Sequence, residues 1–449
     1  MHRRHLMKSA LAASTLSLGG PAMAALPDRT PKDPFLRAFF FAFPLYELAR
    51  IEQERTEALD GKPGRLNTIS SRARLMDHTS RQVTAPNNDT IYSSIFLELS
   101  GGPVELSVPS STDRYFSLAF MHAFTDVFAY VGTRASRGQG GRNWVVGPQW
   151  KGAAPEGVKL IRSPSNDVWA LMRTLVDGPD DLAAALAFQS GLTLSVAPDR
   201  APPRGFQAAA GDVNDPVVFL SLVNEVIARS PGGGAQFPRV AQFAAQGIGA
   251  TGLPSGDVLA RWRETIPGAL EILRETFRFR DYAVDGWSYQ PPGIGDFGVN
   301  DELRAAVALG GIAALGEEEA MYFHANFDGD GAPLMGSTPY RWRVPPGGVP
   351  VDAFWSLTMY EVTPEGRYFF TENPIGRYAI GDRTPGLIKN PDGGFEILLQ
   401  RERPSGDMAA NWLPSPAGRM RLALRAYLPR REIRDRSWRV PALIRRTGV

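Results

Sequence analysis

The chain has 449 residues, 43% of them hydrophobic, with 49 basic and 47 acidic side chains and a formal net charge of +2. That length accommodates two or three domains with real apolar cores and excludes a disordered or fibrous chain, while the near balance of charge excludes the global field that recruits nucleic acid or anionic lipid. Cysteine is absent, which removes disulfides, thiolate nucleophiles, iron–sulfur clusters and cysteine-ligated zinc together.

At the N-terminus Arg3, Arg4 and Lys8 form a positive region, residues 9–20 a short, mildly apolar stretch, and Ala22-Met23-Ala24 a small-residue cleavage site. In that order they predict a signal peptide over residues 1–24 and a periplasmic or extracellular mature protein. The run Arg3-Arg4-His5-Leu6-Met7-Lys8 resembles the twin-arginine export signal, with His2 where Ser or Thr is usual. No later stretch approaches about 18 consecutive apolar residues, so no transmembrane segment is expected after cleavage. Of the five histidines, His2 and His5 fall in this leader. His78, His122 and His324 remain, and no metal site is expected.

Residues 25–85 read as an N-terminal helical segment, with Phe35, Ala38, Phe39, Ala42 and Phe43, then Leu45, Leu48 and Ile51, at helical spacing. The pattern predicts an amphipathic helix lying on the domain that follows, kinked or divided at Pro44. Over residues 86–200 the period becomes strand-like: 90–97, 104–108, 115–120 and 143–146 are short, β-branched or aromatic, and punctuated by Gly, Pro and Asp. A helix over 179–189 closes this unit. Residues 201–320 turn helical again, in 217–228, 258–262, 270–277 and 302–315. Strands return over 321–449, in 341–344, 354–360, 395–399 and 420–427. The last places apolar residues inward and Arg421 and Arg425 outward, as a half-buried antiparallel strand does. The expected fold is α+β and β-dominated: two antiparallel β-sandwich or jelly-roll-like domains with N-terminal and central helical segments.

Several phrases carry a resemblance. Pro86-Asn87-Asn88-Asp89-Thr90-Ile91-Tyr92-Ser93-Ser94, Asp113-Arg114-Tyr115-Phe116-Ser117-Leu118 and Val176-Asp177-Gly178-Pro179 form one set. Ala353-Phe354-Trp355-Ser356-Leu357-Thr358-Met359-Tyr360, Glu372-Asn373-Pro374, Arg377-Tyr378-Ala379-Ile380-Gly381-Asp382-Arg383-Thr384 and Asn411-Trp412-Leu413-Pro414 form the other. The first set resembles the bacterial family of unknown function numbered 1254 and the second the family numbered 1214, which usually occur in tandem. The resemblance implies two sandwich or jelly-roll domains with helical insertions in an envelope or periplasmic setting, and no activity. His122 stands where the first family is expected to carry an acidic residue.

Asn87-Asn88-Asp89-Thr90 precedes a strand, and such a polar cluster either holds a turn or grips a cation or sugar. Loops bearing Asn, Arg, Tyr and Trp at the open end of a sandwich suit a small molecule or glycan, through flat apolar faces and fixed donors. On that basis the candidate binding residues are Asn88, Asp89, Tyr92 and Arg173 in the first β domain. Trp355, Tyr360, Asn373, Arg377, Tyr378, Asn411 and Trp412 are their counterparts in the second. Asp89, Glu372 and Asp382 are the candidate catalytic carboxylates of an alternative reading, an exported hydrolase or lyase with its site between the domains. Asn326, Asp328, Asp330 and Gly331 match the opening of a calcium loop, but Ser337 replaces its closing Glu, and the segment reads as a turn. No Gly-x-Ser-x-Gly elbow or dinucleotide fingerprint occurs, and no cofactor is firmly implied.

Overall fold

The computed structural model describes residues 31–56, 65–81 and 84–446; the expected signal peptide lies outside the described residues. The first sandwich takes, in chain order, β1 (Ser70–Ser71), β2 (Thr90–Glu98), β3 (Val104–Val108), β4 (Phe116–His122), β5 (Val127–Gly132), β6 (Gly141–Val146), β7 (Lys159–Arg162), β8 (Asp167–Leu175) and β9 (Thr193–Val196). Its sheets run β1-β2-β8-β4-β5 and β7-β6-β3-β9, antiparallel except for the β6–β7 pair. Ile95, Leu97, Leu106, Leu118, Phe120, Val145 and Met172 fill the space between them.

The second sandwich takes β10 (Ala283–Val284), β11 (Trp287–Tyr289), β12 (Ala320–Ala325), β13 (Tyr340–Val344), β14 (Val351–Val362), β15 (Tyr368–Phe369), β16 (Ala379–Gly381), β17 (Phe395–Gln400), β18 (Trp412–Pro414), β19 (Met420–Pro429) and β20 (Leu443–Arg445). One sheet runs β10-β11-β12-β19-β14-β15 with β16 also on β14, the other β18-β17-β13-β20. Trp287, Phe323, Trp342, Trp355, Leu357, Leu422 and Leu424 form the core between them.

Three boundaries differ from the sequence reading. Residues 65–81 of the expected N-terminal helical segment are turns and extended chain, and Ser70 and Ser71 pair with Ser94 and Ser93; the apolar spacing that makes a helix stops after Ile51. The second sandwich begins at β10 and β11, inside the expected helical middle, because Trp287-Ser288-Tyr289 is too short a β-forming run to stand out between helices. The expected helices 258–262 and 270–277 are one, α4 below, running through Pro267.

The helices are α1 (Pro34–Thr56), α2 (Leu182–Ser190), α3 (Pro216–Ala228), α4 (Gly256–Thr276) and α5 (Asp301–Gly311). α1 is neither divided at Pro44 nor laid with one face on a sheet: residues 38–46 are buried without interruption. Phe39 meets Phe219 of α3, Phe41 meets Phe243, and Phe35 meets Trp262 of α4. Over residues 38–46 the helix is enclosed on every side and apolar all round, and its neighbours hold it through the proline, while Arg37, Glu54 and Arg55 reach solvent. The same core receives Phe96, Met121, Trp169 and Leu171 from the outer face of β2, β4 and β8, so that sheet is covered on both faces.

Where α1 meets this sheet, Glu52 is buried beside Asp167, which Arg229 pairs at 2.6 Å. Burial, and then repulsion from Asp167, hold the Glu52 carboxyl well above the usual carboxylate range. A carboxyl with a raised folded pKa binds more protons when folded, so its contribution is full below its unfolded value of about 4.3 and is lost as pH rises through the folded value. Glu52→Gln is therefore expected to flatten the fall of Tm between pH 5 and 8 and to stabilise the protein by about 1 kcal/mol at the upper end, read by calorimetry across pH.

Candidate binding seam between the two β-sandwiches

Because side chains alternate along a strand, the register of β12, β19 and β14 sets Met321, Phe323, Leu422, Leu424, Trp355 and Leu357 toward the second core and the residues between them to the opposite face. Cross-strand rows on that face are Tyr322–Arg425–Ser356, His324–Ala423–Thr358 and Ala320–Tyr427–Phe354. Solvent does not cover them. Arg421 and Arg425, read from sequence as outward, are only 8% and 7% exposed, because the first sandwich lies against this face. Tyr115, Ala119 and Leu175 of the first domain pack with Leu315, Ala320, Phe354 and Tyr427.

Polar ties fix the two domains around this apolar patch. The Tyr115 hydroxyl donates to Glu319 at 2.8 Å, which also accepts from Arg134 at 2.7 Å. Asn87 donates to the Tyr427 hydroxyl at 2.8 Å, and the Tyr360 hydroxyl to the Pro86 carbonyl at 2.6 Å. Asp89 accepts from the Ser356 hydroxyl at 2.5 Å and from Arg383 at 3.5 Å, while Arg383 also donates to the Val176 carbonyl. The Asn87-Asn88-Asp89-Thr90 cluster is thus both a turn, closed by the Asp89 amide on Asn87 Oδ1, and a domain joint.

Within the joint lies a basic and aromatic seam. Arg173, 7% exposed, donates to the Ala313 carbonyl and sits over the Tyr92 ring, with its Nη1 unpartnered. Arg425 donates to Thr358, to the Tyr360 hydroxyl and to the Ala85 carbonyl. Arg421 lies 4.1 Å over the Tyr368 ring with Nε unpartnered. His324 Nδ1 is likewise buried without a partner. Burial, then the charges of Arg421 and Arg425, push the His324 imidazole well below its usual pKa, so it is neutral. Burial raises the hydroxyls of Tyr322, Tyr360 and Tyr427, which stay protonated. Among the described residues, Arg173, Arg421 and Arg425 form no ion pair. Each such buried cation costs several kcal/mol of desolvation unless opposite charge or hydrogen bonds offset it.

The sequence-derived residues divide between this seam and other places. Asp89, Tyr92, Arg173 and Tyr360 belong to it, and Asn88 borders it, bonded to the Met76 carbonyl. Tyr378 packs beside Tyr360 and bonds His78 at 2.7 Å. Asn373 holds its own turn through Arg377, and Arg377 donates to the Ala410 and Trp412 carbonyls. Asn411 is wholly buried, bonded to Ile388 and Glu396, and Trp412 donates to the Gln400 carbonyl. Trp355 faces the second core, and Glu372 is exposed. Asp328 of the calcium-like run is engaged by the amides of Asp330 and Ala332 and by Arg445, which closes a turn. Sequence reasoning missed Tyr322, His324, Arg421, Arg425 and Tyr427. Their one signal was alternation, which shows that a residue faces away from its own core but not what covers it.

Asp382 lines a separate open cleft of about 550 Å³ with Trp355, Thr384, Leu387, Lys389 and Phe395, all from the second sandwich. Its carboxyl accepts from the Trp355 amide, and burial pushes its pKa up to about 6. The seam is identified by burial and missing partners.

Residues 66–196 match the family described as protein of unknown function DUF1254, and residues 319–431 match protein of unknown function DUF1214. The chain carries the two families in tandem. The structure resembles the crystal structure of the VPA0106 protein from Vibrio parahaemolyticus, with a TM-score of 0.72 and 21% identity over 92% of this chain and 99% of that one, a likeness of fold. An uncharacterised protein from Burkholderia cenocepacia aligns over 94% of this chain and 91% of its own at 13% identity, with a TM-score of 0.45 that carries no argument. No curated protein matches. The DUF1254 region contributes Asp89, Tyr92 and Arg173 to the seam, and the DUF1214 region Tyr322, His324, Arg421, Arg425 and Tyr427, so the seam lies where the two families meet. His122 of the DUF1254 region lies 3.2 Å from Asp126 in a buried joint away from it.

Two outcomes follow from this geometry. Asp89→Ala removes the acceptor shared by Ser356 and Arg383 and is expected to cost about 2 kcal/mol in denaturant unfolding. Asp382 ionises at a higher pH folded than unfolded, so its contribution falls as pH rises from about 4 through about 6. Asp382→Asn is expected to match the parent at pH 4 and to exceed it by about 1 kcal/mol at pH 7.5, solvent screening of this partly exposed group included.

Proposed function

We propose that this is an exported two-domain protein that holds a small molecule, or the end of a glycan, in the seam between its β-sandwiches. The carrying observation is convergence: buried polar faces of both domains meet there, and Arg173 Nη1, His324 Nδ1 and Arg421 Nε have no hydrogen-bond partner among the described residues. Buried polar groups in folded proteins are nearly always satisfied, and polar atoms left open beside aromatic rings are what an orienting pocket supplies. Export rests on the leader over residues 1–24 and on the envelope setting that the two families imply.

The test is direct. Protein purified under native conditions from periplasm is expected to release, on denaturation, one small compound in near-stoichiometric amount by mass spectrometry, with Ala25 as its first residue. A Tyr322→Phe, His324→Leu double variant that folds normally is expected to release at least tenfold less. Empty wild-type protein that also shows no thermal shift across a metabolite panel would sink the reading.

A second reading is favoured by one feature, the Asp382 carboxyl held near pH 6 in an open cleft. A group that titrates there serves as acid or base at neutral pH, as a hydrolase or lyase requires. If this cleft is catalytic, the rate gains a limb near pH 6 that Asp382→Asn abolishes.

A further inference from the structure

The hydrogen-bond vacancies that support ligand binding are silent on the ligand's charge; the charge balance of the seam is not. Arg383, the cation at its edge, is answered by Asp89, Asp177 and Asp382 at 3.5, 3.6 and 3.9 Å. Arg173, Arg421 and Arg425 are more than nine-tenths buried and, among the described residues, have no such neighbours in contact. The charges and hydroxyls that bear most on Arg173 are Tyr92, Tyr322, Tyr427 and Tyr115. Those on Arg425 are Tyr360, Tyr427 and, more weakly, Asp89, already engaged by Ser356 and Arg383. Tyr322 lies opposite Arg425 in the β12–β19 pair, and its hydroxyl accepts from the Leu315 amide, two residues from the Ala313 carbonyl that takes Arg173, which brings both guanidinium groups to the tyrosine cluster. Burial raises the hydroxyls of Tyr115, Tyr322, Tyr360 and Tyr427, which bring dipoles, not negative charge.

Resting on the seam as the binding site, we propose that its ligand is an organic anion whose carboxylate or phosphate group is taken by Arg173 of the first domain through its open Nη1, while Arg425 of the second domain, its terminal nitrogens engaged by Thr358, Tyr360 and Ala85, supplies positive charge beside it, with the tyrosine hydroxyls as additional donors. Guanidinium forks suit either oxyanion, through two parallel N–H donors. Arg173 comes from β8 and Arg425 from β19, so one ligand bridges the two domains and its binding stabilises their contact. The neutral His324 imidazole lies in the field of Arg421 and Arg425. An arriving anion offsets that field, so the imidazole becomes easier to protonate.

The experiment uses the full mature chain and matched probes: benzoate against benzamide, and glucose 6-phosphate against glucose, by calorimetric titration at low salt. At least one anion is expected to bind tenfold or more tightly than its neutral partner, to lose tenfold or more in Arg173→Met and Arg425→Met, and to recover in part in Arg173→Lys. The bound anion is also expected to shift the His324 ring resonances of selectively labelled protein, which a merely structural arginine would not do. Which pair responds separates carboxylate from phosphate. Equal binding of neutral and charged partners, or unchanged anion affinity in folded Arg173→Met, overturns the anion assignment and leaves the seam as a site for neutral molecules. No binding in any pair, by protein that also carries no co-purifying compound, overturns the assignment and the binding reading together.

Discussion

The constraint on which the molecule depends is the covering of two central sheets on both faces. A sheet that is half of a sandwich ordinarily turns its second face to water. Here β2, β8 and β4 meet the helical core at one end of their outer face and the second sandwich at the other. β14 and β19 meet the first sandwich in turn. Strands in this position cannot keep their polar residues in solvent, so arginines and tyrosines of the outer faces are carried inside and must find partners there.

The carbonyls of Pro86, Ala85, Ala313 and Val176, the carboxylates of Asp89 and Glu319 and several tyrosine hydroxyls supply many of those partners. The carbonyls come from loops at the ends of strands and from the turn after α5, which explains why the helical insertion matters to the seam: it delivers the Ala313 carbonyl to Arg173. The same insertion encloses α1, so the helical core, the first sandwich and the seam are mechanically connected. Where the two sandwiches touch, Arg173 Nη1, His324 Nδ1 and Arg421 Nε remain unmatched among the described residues.

Much of the architecture was legible from residues. The strands at 104–108, 395–399 and 420–427 announce themselves by alternation and by β-branched and aromatic content, and their registers follow from apolar pairs such as Leu357 opposite Leu424. Asp89, Tyr92, Arg173 and Tyr360 were identifiable as chemistry-bearing residues. Asn411 and Arg377 have the same composition yet hold turns, because a buried Asn that bonds the backbone of two neighbouring segments looks identical in sequence to one that waits for a ligand. β1, β10 and β11 were hidden by shortness, and the unbroken α1 by a proline whose cost is offset by packing that no local pattern reports.

The sequence by itself determined the longer elements and their order, the β-dominated class and the tandem families, since each follows from local periodicity, propensity or contiguous phrases. Only the tertiary structure decided that Arg421 and Arg425 are inside, that Arg173 and Arg425, from different domains, are both buried without an ion pair among the described residues, and that burial pushes the Asp382 carboxyl up to about 6. Period-two alternation assigns a side chain to one face of a sheet; whether water or another domain lies beyond that face is set by long-range docking, and burial and charge follow from it.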